Sequence, residues 1–588
     1  MSRDEIINSL RSLRANEQSR IDFNPHKPYK VGLVYPNTYF VGMSNLGMQI
    51  IYEEINGRPQ SCAERYFLPV HKDLAAYEKY RLPLMSIETQ RPLNECHVVG
   101  MDVTFEMDYF NIPVLLELGH IPVLRKHRIE RDPIVIAGGP CATFNPEPIS
   151  DFFDAFLIGE GEGLMSEILN VVETGRERGA LRSEILEDLH NLDGVYVPEF
   201  YTPKYDEYGR FSGYEGTPKP VHRHWRPLET VGETVVHTDF TEFGAMYIVE
   251  VARGCGRHCR FCMAGYCYRK PRVRPLDDLK AGVDRAAALG KKVGLMGAAI
   301  SDYPQIDELV QYIRSKGLRY SCASLRADSL TEDVVQGLAA SGQQTVTVAP
   351  EAGSERLRRV INKGITDESL FKAVDLAAKA GIPHIRLYIM VGLPTEEQAD
   401  IEAIVQMANA VYARMERDGC KGRLTLSVNP FIPKPFTPFQ WMPMADQKEI
   451  RKKLNYIKKS LQKNRHIEVL VESPREAYVQ AVLARGDRRL GAVLVEAVKQ
   501  GGPKSFKNAC RDLGYNEEDE LYRERALDAV QPWSILHMGL NESYLANEWR
   551  RSLNEVYTAP CQDGCKRCGV CSDTNGGECN ATPESDNN

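Results

Sequence analysis

The sequence has no run of about 18 uninterrupted apolar residues, the length a membrane-spanning helix requires. Its opening stretch, MSRDEIINSLRSLRANEQSR, lacks the apolar core of a secretory signal. Membrane insertion is therefore not expected, and the reading is a soluble cytoplasmic protein. Excess charge of one sign is missing too. Against 80 Asp and Glu stand 73 Lys and Arg, and a net charge of -7 over 588 residues is too small to draw the whole chain to nucleic acid or anionic lipid. There is no internal repeat and no collagen-like or coiled-coil segment. Apolar and charged shares of 43% and 26% are those of an ordinary globular protein, and the length suits about three or four folded units.

What the sequence does have is cysteine, 15 residues in all, gathered in clusters. In a reducing cytosol such clusters point to metal binding or catalysis, because ordinary thiols there are kept reduced.

Residues 1–25 read as a helical arm ended by Asn24-Pro25 and Lys27-Pro28. Apolar runs follow at Lys30–Tyr35, His97–Phe105, Pro133–Ala137 and Ala155–Ile158, with helical stretches such as Ile112–Leu118 between them. Apolar strands alternating with helices indicate a parallel sheet covered on both faces, a Rossmann-like unit over residues 26–175. Two glycine turns follow its strands, Gly138-Gly139-Pro140 and Gly159-Glu160-Gly161-Glu162-Gly163. Ligands of open α/β sheets bind at such strand ends, and plain tight turns are the alternative.

Residues 176–240, with GVYVPEFYTPKYDEYGRF, read as a connector built on a β-hairpin. From Tyr247 a second series begins: YIVEVARG, KVGLMG, RYSCASLR, TVTVAPEA, HIRLYIMVGLP and LTLSVNPFIP. Six such units over residues 241–445 suit a partial (β/α)6 barrel, with functional residues at the strand C-termini. Residues 446–556 read as helical, and the lysines and arginines at 451–453, 458–459, 463 and 465 form a basic helix whose charges suit a solvated face or a substrate or RNA contact. Residues 557–588 are a cysteine-rich tail. The fold class is α/β.

Directly after the apolar strand at Tyr247 comes RGCGRHCRFCMAGYCYR, which sets Cys255, Cys259 and Cys262 in a C-x3-C-x2-C loop. Three soft thiolates can hold three irons of a cubane and leave the fourth open for chemistry. A zinc site is the alternative, completed by His258 or Cys267. The spacing, with Phe261 before the third cysteine, resembles the signature of the radical S-adenosylmethionine superfamily. The resemblance spans about Tyr247–Met444. It implies a 4Fe-4S cluster on Cys255, Cys259 and Cys262 whose open iron is chelated by S-adenosylmethionine, and reductive cleavage of that cofactor to a 5′-deoxyadenosyl radical.

It also implies contacts to S-adenosylmethionine from Phe261, from Gly297 and Ala298 in a Met296-Gly297-Ala298-Ala299 turn that departs from the family's Gly-Gly-Glu-like pattern, from Ser324 and Arg326, from Glu351, and from Gly392 in LYIMVGLPTEE. Glu351 has a second reading, as a carboxylate at a helix N-terminus. No catalytic residue beyond the cluster ligands is assigned. A small electron donor such as flavodoxin or ferredoxin is the implied partner, with an unknown substrate and nucleic acid not favoured.

The amino-terminal unit is similar to the cobalamin-binding domains attached to this enzyme class, and the resemblance places Gly138, Gly139, Gly159, Glu160 and Gly161 against cobalamin. No Asp-x-His-x-x-Gly segment is present, so no histidine ligand to cobalt is assigned, and a domain that holds no cobalamin is the alternative. In the tail, CQDGCKRCGVC places Cys561, Cys565, Cys568 and Cys571 at x3, x2 and x2 spacing, with Cys579 beyond. That set suits a second Fe-S cluster, a tetrahedral zinc or an unliganded redox tail. Cys62, Cys96, Cys141, Cys322, Cys420 and Cys510 read as buried small residues, and Cys267 as structural. The stretch Arg269–Arg274 reads either as a binder of an anionic group or as a solvated loop.

Three functions compete. The first is a radical enzyme that works with cobalamin in methyl transfer or rearrangement. The second is a methylthiotransferase-like enzyme acting on tRNA or protein, against which stand the wide separation of Cys62, Cys96 and Cys141 and the want of a basic β-domain after the barrel. The third is a zinc-binding protein without activity.

Overall fold

The computed structural model describes residues 2–229, 231–244, 246–322, 325–541, 543–562 and 564–571. Five parallel strands form the first sheet: β1 (Tyr29–Tyr35), β2 (Ser61–Phe67), β3 (Val98–Asp102), β4 (Ile134–Gly138) and β5 (Ala155–Leu157). Their spatial order is β2-β1-β3-β4-β5, and β6 (Val195–Tyr196) closes the far edge antiparallel to β5.

Alternation along the strands divides the side chains between two cores. Val98, Ile134 and Ile136 pack with Met48, Tyr52 and Ile55 of α1 (Leu46–Gly57) and with Ile168 and Val172 of α3 (Leu164–Glu177). Val99, Val135 and Ala137 pack with Ile112, Leu115 and Leu116 of α2 (Asn111–Leu118), in a core that continues into the barrel and the carboxyl-terminal helices.

Strand β2 is absent from the apolar runs of the sequence because its segment, SCAERYF, carries Glu64 and Arg65 into a wholly buried position. Both are paired, as buried charges must be. Arg65 meets Glu17 at 2.7 Å and Glu88 at 2.6 Å, and Glu64 meets Arg91 at 3.0 Å.

The connector holds a two-stranded antiparallel hairpin of Pro203–Tyr205 and Phe211–Tyr214. Beyond it lie two parallel sheets. The first has β7 (Met246–Glu250), β8 (Lys292–Met296) and β9 (Tyr320–Cys322); the second has β10 (Thr345–Glu351), β11 (His384–Val391), β12 (Leu424–Pro430) and β13 (Ile467–Val471). A parallel bridge from Leu325 to Val348 joins them. Strands β7 to β12 are the six expected units. Strand β13 adds a seventh inside the stretch read as helical, where a five-residue run, IEVLV, is half exposed at an edge and flanked by helices.

The basic helix is Gln447–Leu461. It buries Ile450, Leu454, Ile457 and Leu461 and leaves Arg451, Lys452, Lys458 and Lys459 exposed, while Lys453 pairs with Glu396 at 2.6 Å.

The carboxyl-terminal helices fold back on the first sheet. Asn145 donates its side-chain amide to the carbonyls of Ala484 and Gly486 at 3.0 and 2.9 Å. Arg488 reaches Glu147, which is fully buried, at 3.0 Å and donates to the Tyr201 carbonyl at 2.9 Å. Truncating Glu147 strands a buried cation, a change worth about 3–5 kcal/mol. Glu147→Ala is expected to lower the urea midpoint of unfolding by a corresponding amount; an unchanged midpoint would show that this pair does not hold the two regions together.

Candidate metal centre and the adjoining cavity

Strand β7 ends at Glu250, and Ala252–Arg253 pairs antiparallel with Arg272–Val273, which closes the cysteine loop at its base. Gly254 is required there. Its φ is +76°, and a side chain would strike the Tyr268 carbonyl. Cys255 and Cys262 are partly exposed and Cys259 is buried. The turn is set by the Cys262 amide, which donates to the Cys259 carbonyl at 3.1 Å.

The three thiols lie close enough to act on one another. Burial, and then repulsion from Cys259 and Cys255, pushes the Cys262 thiol up to about 12; burial and Cys259 raise Cys255 as well. Thiols crowded in this way release their protons to a cationic metal. Among the described residues no three Cys, His, Asp or Glu side chains converge on a single-ion position. A cubane does not ask for that, since each thiolate binds a different iron. The donor set therefore fits a three-cysteine 4Fe-4S cluster.

The loop is gripped from two sides. Arg257 pairs with Asp302 at 2.9 Å and with Asp328 at 3.3 Å. Arg260, with no exposed surface, pairs with Glu548 of α4 (Tyr544–Leu553) at 3.2 Å. Its remaining donors go to the carbonyls of Arg359, Val360 and Val556 at 3.0, 2.9 and 2.7 Å.

Polar groups from neighbouring strand ends face the loop. Arg326, after β9, donates to the Lys363 carbonyl at 3.0 Å and pairs with Asp328 at 2.8 Å. Lys363 pairs with Glu351 at 3.1 Å and sits 5.8 Å from the Phe261 ring centroid. Cys259 is one of the groups that hold Arg326 and Lys363 in their charged forms against burial. The structure thus brings Phe261, Arg326 and Glu351 to the cysteine loop. Lys363 was not singled out in the sequence; only its place four residues after a pair of arginines, in LRRVINKG, set it apart. Gly392, with φ +84°, follows the end of β11, its amide donating to Glu396 at 2.9 Å and its α-carbon facing Ala445 and Ile450. Ser324 lies outside the described residues, as does Cys579.

A cavity of about 620 Å³ opens between the first sheet and the barrel. One wall is formed by Gly138, Gly139, Gly159, Glu160 and Gly161, and the other by Ala252, Arg253, Gly297 and Ala298. Gly254 and Ala264, which flank the cysteine loop, also line it. The interior is largely apolar, with Leu33, Met48, Ile51, Met101 and Met165. Asp102, at the end of β3, faces the same space, and burial raises its carboxyl to about 7. Gly139 is fixed by that carboxylate, since at φ +94° a side chain there would lie 2.5 Å from Asp102 Oδ1. Asp102 interrupts the run HVVGMDVTF, and a lone charge inside an apolar run was the signal that would have found it.

Arg269–Arg274 is not a solvated loop: Arg269, Lys270, Arg272 and Arg274 are buried, and two of the arginines meet the protein's own acids. Arg272 bonds Glu160, Arg274 pairs with Glu250, and Lys270 and Arg272 stack on Trp225 at 5.0 and 4.7 Å. Both carboxylate oxygens of Glu160 are bonded by Arg272. Cys267 is fully buried.

Two family models match: "Radical SAM proteins, N-terminal" over residues 47–198 and "Radical SAM superfamily" over residues 249–408. An uncharacterized protein of Methanocaldococcus jannaschii is 31% identical over 473 residues, 79% of this chain and 90% of its own. An uncharacterized methyltransferase of Pyrococcus horikoshii is 26% identical over 302 residues, 48% of this chain and 58% of its own. Among solved structures, the radical S-adenosylmethionine methyltransferase TsrM of Kitasatospora setae has a TM-score of 0.46 and 17% identity, covering 72% of this chain and 76% of that one.

The raised Asp102 carboxyl has a pH signature. A folded state that prefers the protonated acid gains stability from it at low pH, and that contribution is lost as pH rises through about 7. In the metal-free protein, Asp102→Asn is expected to flatten the fall in thermal midpoint between about pH 5 and pH 8; parallel pH profiles for the two proteins would refute the assignment.

Proposed function

The chain belongs to the radical S-adenosylmethionine superfamily, and from that membership we propose that it is a cobalamin-associated enzyme performing methyl transfer or rearrangement on a small substrate. The observation that carries the proposal is the cavity whose walls are the glycine turns of the first sheet and the strand ends beside the cysteine loop. Its volume is that of a small-molecule site, and its apolar lining suits a large hydrophobic ring system shielded from water. No histidine lines it, so a corrin held there would have no imidazole ligand from this chain's described residues. The methyltransferase relative favours methyl transfer over rearrangement.

When bound, the cluster and S-adenosylmethionine supply one-electron cleavage to a carbon radical. The chain's own task is to bind, orient and exclude water. We assign Cys255, Cys259 and Cys262 as the iron ligands. We assign Gly297 and Ala298, in the cavity wall, to close approach of a cofactor backbone, and Arg326, beside its pair with Asp328, to a carboxylate contact. The Lys363–Glu351 pair sets the polarity around Phe261. We assign Gly138, Gly139, Gly159 and Gly161 to the corrin side. A low-potential one-electron donor such as flavodoxin or ferredoxin completes the system, in the cytoplasm. Against the methylthiotransferase reading, the described residues after the barrel are largely helical and form no basic β-domain.

The test is anaerobic reconstitution, reduction, addition of S-adenosylmethionine, and quantification of 5′-deoxyadenosine and S-adenosylhomocysteine by mass spectrometry. Wild type is expected to form deoxyadenosine, and Cys259→Ala to form none while keeping its fold. Bound corrinoid with the homocysteine product supports methyl transfer. Full activity in Cys259→Ala sinks the class assignment, and zinc in place of iron with neither product returns the chain to a binding role.

A further inference from the structure

The carboxyl-terminal cysteines are folded into the protein, against the back of the cysteine loop. The Cys561 amide donates to the Gly256 carbonyl at 2.9 Å, and Cys561 Sγ lies 3.8 Å from His258 Nε2. Cys561 and Cys568 are 6% and 4% exposed, while Cys565 and Cys571 are more open. The Cys568 carbonyl accepts from the Asn541 amide at 2.9 Å, and Val570 packs on the apolar cluster around Tyr266 and Trp549. Arg567 donates to the Ala559 carbonyl at 2.8 Å and closes the turn.

A second observation is independent of the spacing. Arg269 is fully buried, and among the described residues no carboxylate pairs with it. Its guanidinium donates to Gly265, to the Arg257 carbonyl at 3.3 Å, and lies 3.0 and 3.3 Å from the two ring nitrogens of His258. A buried cation needs an anion, and the tail reaches this one through His258, whose Nε2 faces Arg269 at 3.3 Å and Cys561 Sγ at 3.8 Å.

We propose that Cys561, Cys565, Cys568 and Cys571 hold a second 4Fe-4S cluster, ligated by cysteine at every iron and seated against Arg269 and His258 behind the first. Thiolates bound to iron supply the anion that Arg269 lacks. Four cysteines at x3, x2 and x2 spacing can give each iron of a cubane its own thiolate. With no open iron such a cluster carries electrons and binds no substrate, and His258, between Cys255 and Cys259 in the chain, lies between it and the first cluster.

The proposal concerns the tail alone and is tested on the full chain by iron and zinc analysis with electron paramagnetic resonance. Reconstituted wild type is expected to hold about eight irons, four per cubane. The triple variant Cys255→Ala, Cys259→Ala, Cys262→Ala is expected to keep about half of these, with a reduced-cluster signal that S-adenosylmethionine does not change, because no iron is open to it. Adding Cys565→Ala and Cys571→Ala is expected to abolish that residue of iron. In an otherwise wild-type chain, the Cys565→Ala, Cys571→Ala pair should halve the iron and leave a signal that does respond to S-adenosylmethionine, which separates loss of the tail cluster from misfolding. One zinc per chain that disappears with Cys565 and Cys571, or an iron content indifferent to them, overturns the proposal.

Discussion

A seam of buried ion pairs holds the glycine turn after β5 against the first strand of the barrel. Glu160 is clasped by Arg272, Arg253 reaches Glu162 at 2.7 Å and Glu250 at 2.8 Å, and Arg274 closes on Glu250. Burial opposes ionisation of Glu250, yet Arg253 and Arg274 outweigh it and hold the carboxyl below its usual range. Removing one member would leave an uncompensated charge in a dry junction, so the seam behaves as a unit. Both walls of the cavity are hung on it. Gly159 and Gly161 flank Glu160, and Ala252, Arg253 and Gly254 lead from the other side into the cysteine loop. The distance between the two candidate cofactor surfaces is thus fixed by fully paired charges, which suits a site where reacting groups must be held in register.

The same seam explains what the sequence concealed. Strands β1, β3, β4 and β5, the glycine turns and the C-x3-C-x2-C loop were legible because each obeys a local rule: an apolar run, a turn residue or a ligand spacing. The solvated-loop reading of Arg269–Arg274 failed because sequence gives charge without partners, and the partners of Arg272 and Arg274, Glu160 and Glu250, are over a hundred and about twenty residues upstream. Strand β2 was hidden for the same reason, since Glu64 and Arg65 break an apolar pattern that their ion pairs make permissible. Asp102 and Lys363 were missed because their roles depend on which strand ends the topology places together.

Buried cations recur around the cysteines. Arg326 and Lys363 face the first loop, and Arg269 lies behind it toward the tail. Arg260 is different in kind, because Glu548 and three backbone carbonyls satisfy it and its work is to anchor the loop to α4. The carboxyl-terminal segment is therefore part of the loop's housing. Thr558 bonds both Glu548 and Asn362, and Asn362 in turn donates to the His258 carbonyl at 3.1 Å.

This arrangement separates two environments that radical chemistry needs apart. On the side of Arg326, Lys363 and Glu351 the surroundings are polar and charged, which suits a zwitterionic cofactor that must be gripped by its carboxylate and amine. On the side of the cavity the lining is aliphatic and methionine-rich, which excludes water from the chamber. The boundary between them is the short stretch from Ala252 to Gly254, where the barrel's first strand turns into the cysteine loop. Gly254, where a side chain would strike the Tyr268 carbonyl, lets the backbone make that turn, so the loop and the apolar chamber meet across a few residues of main chain.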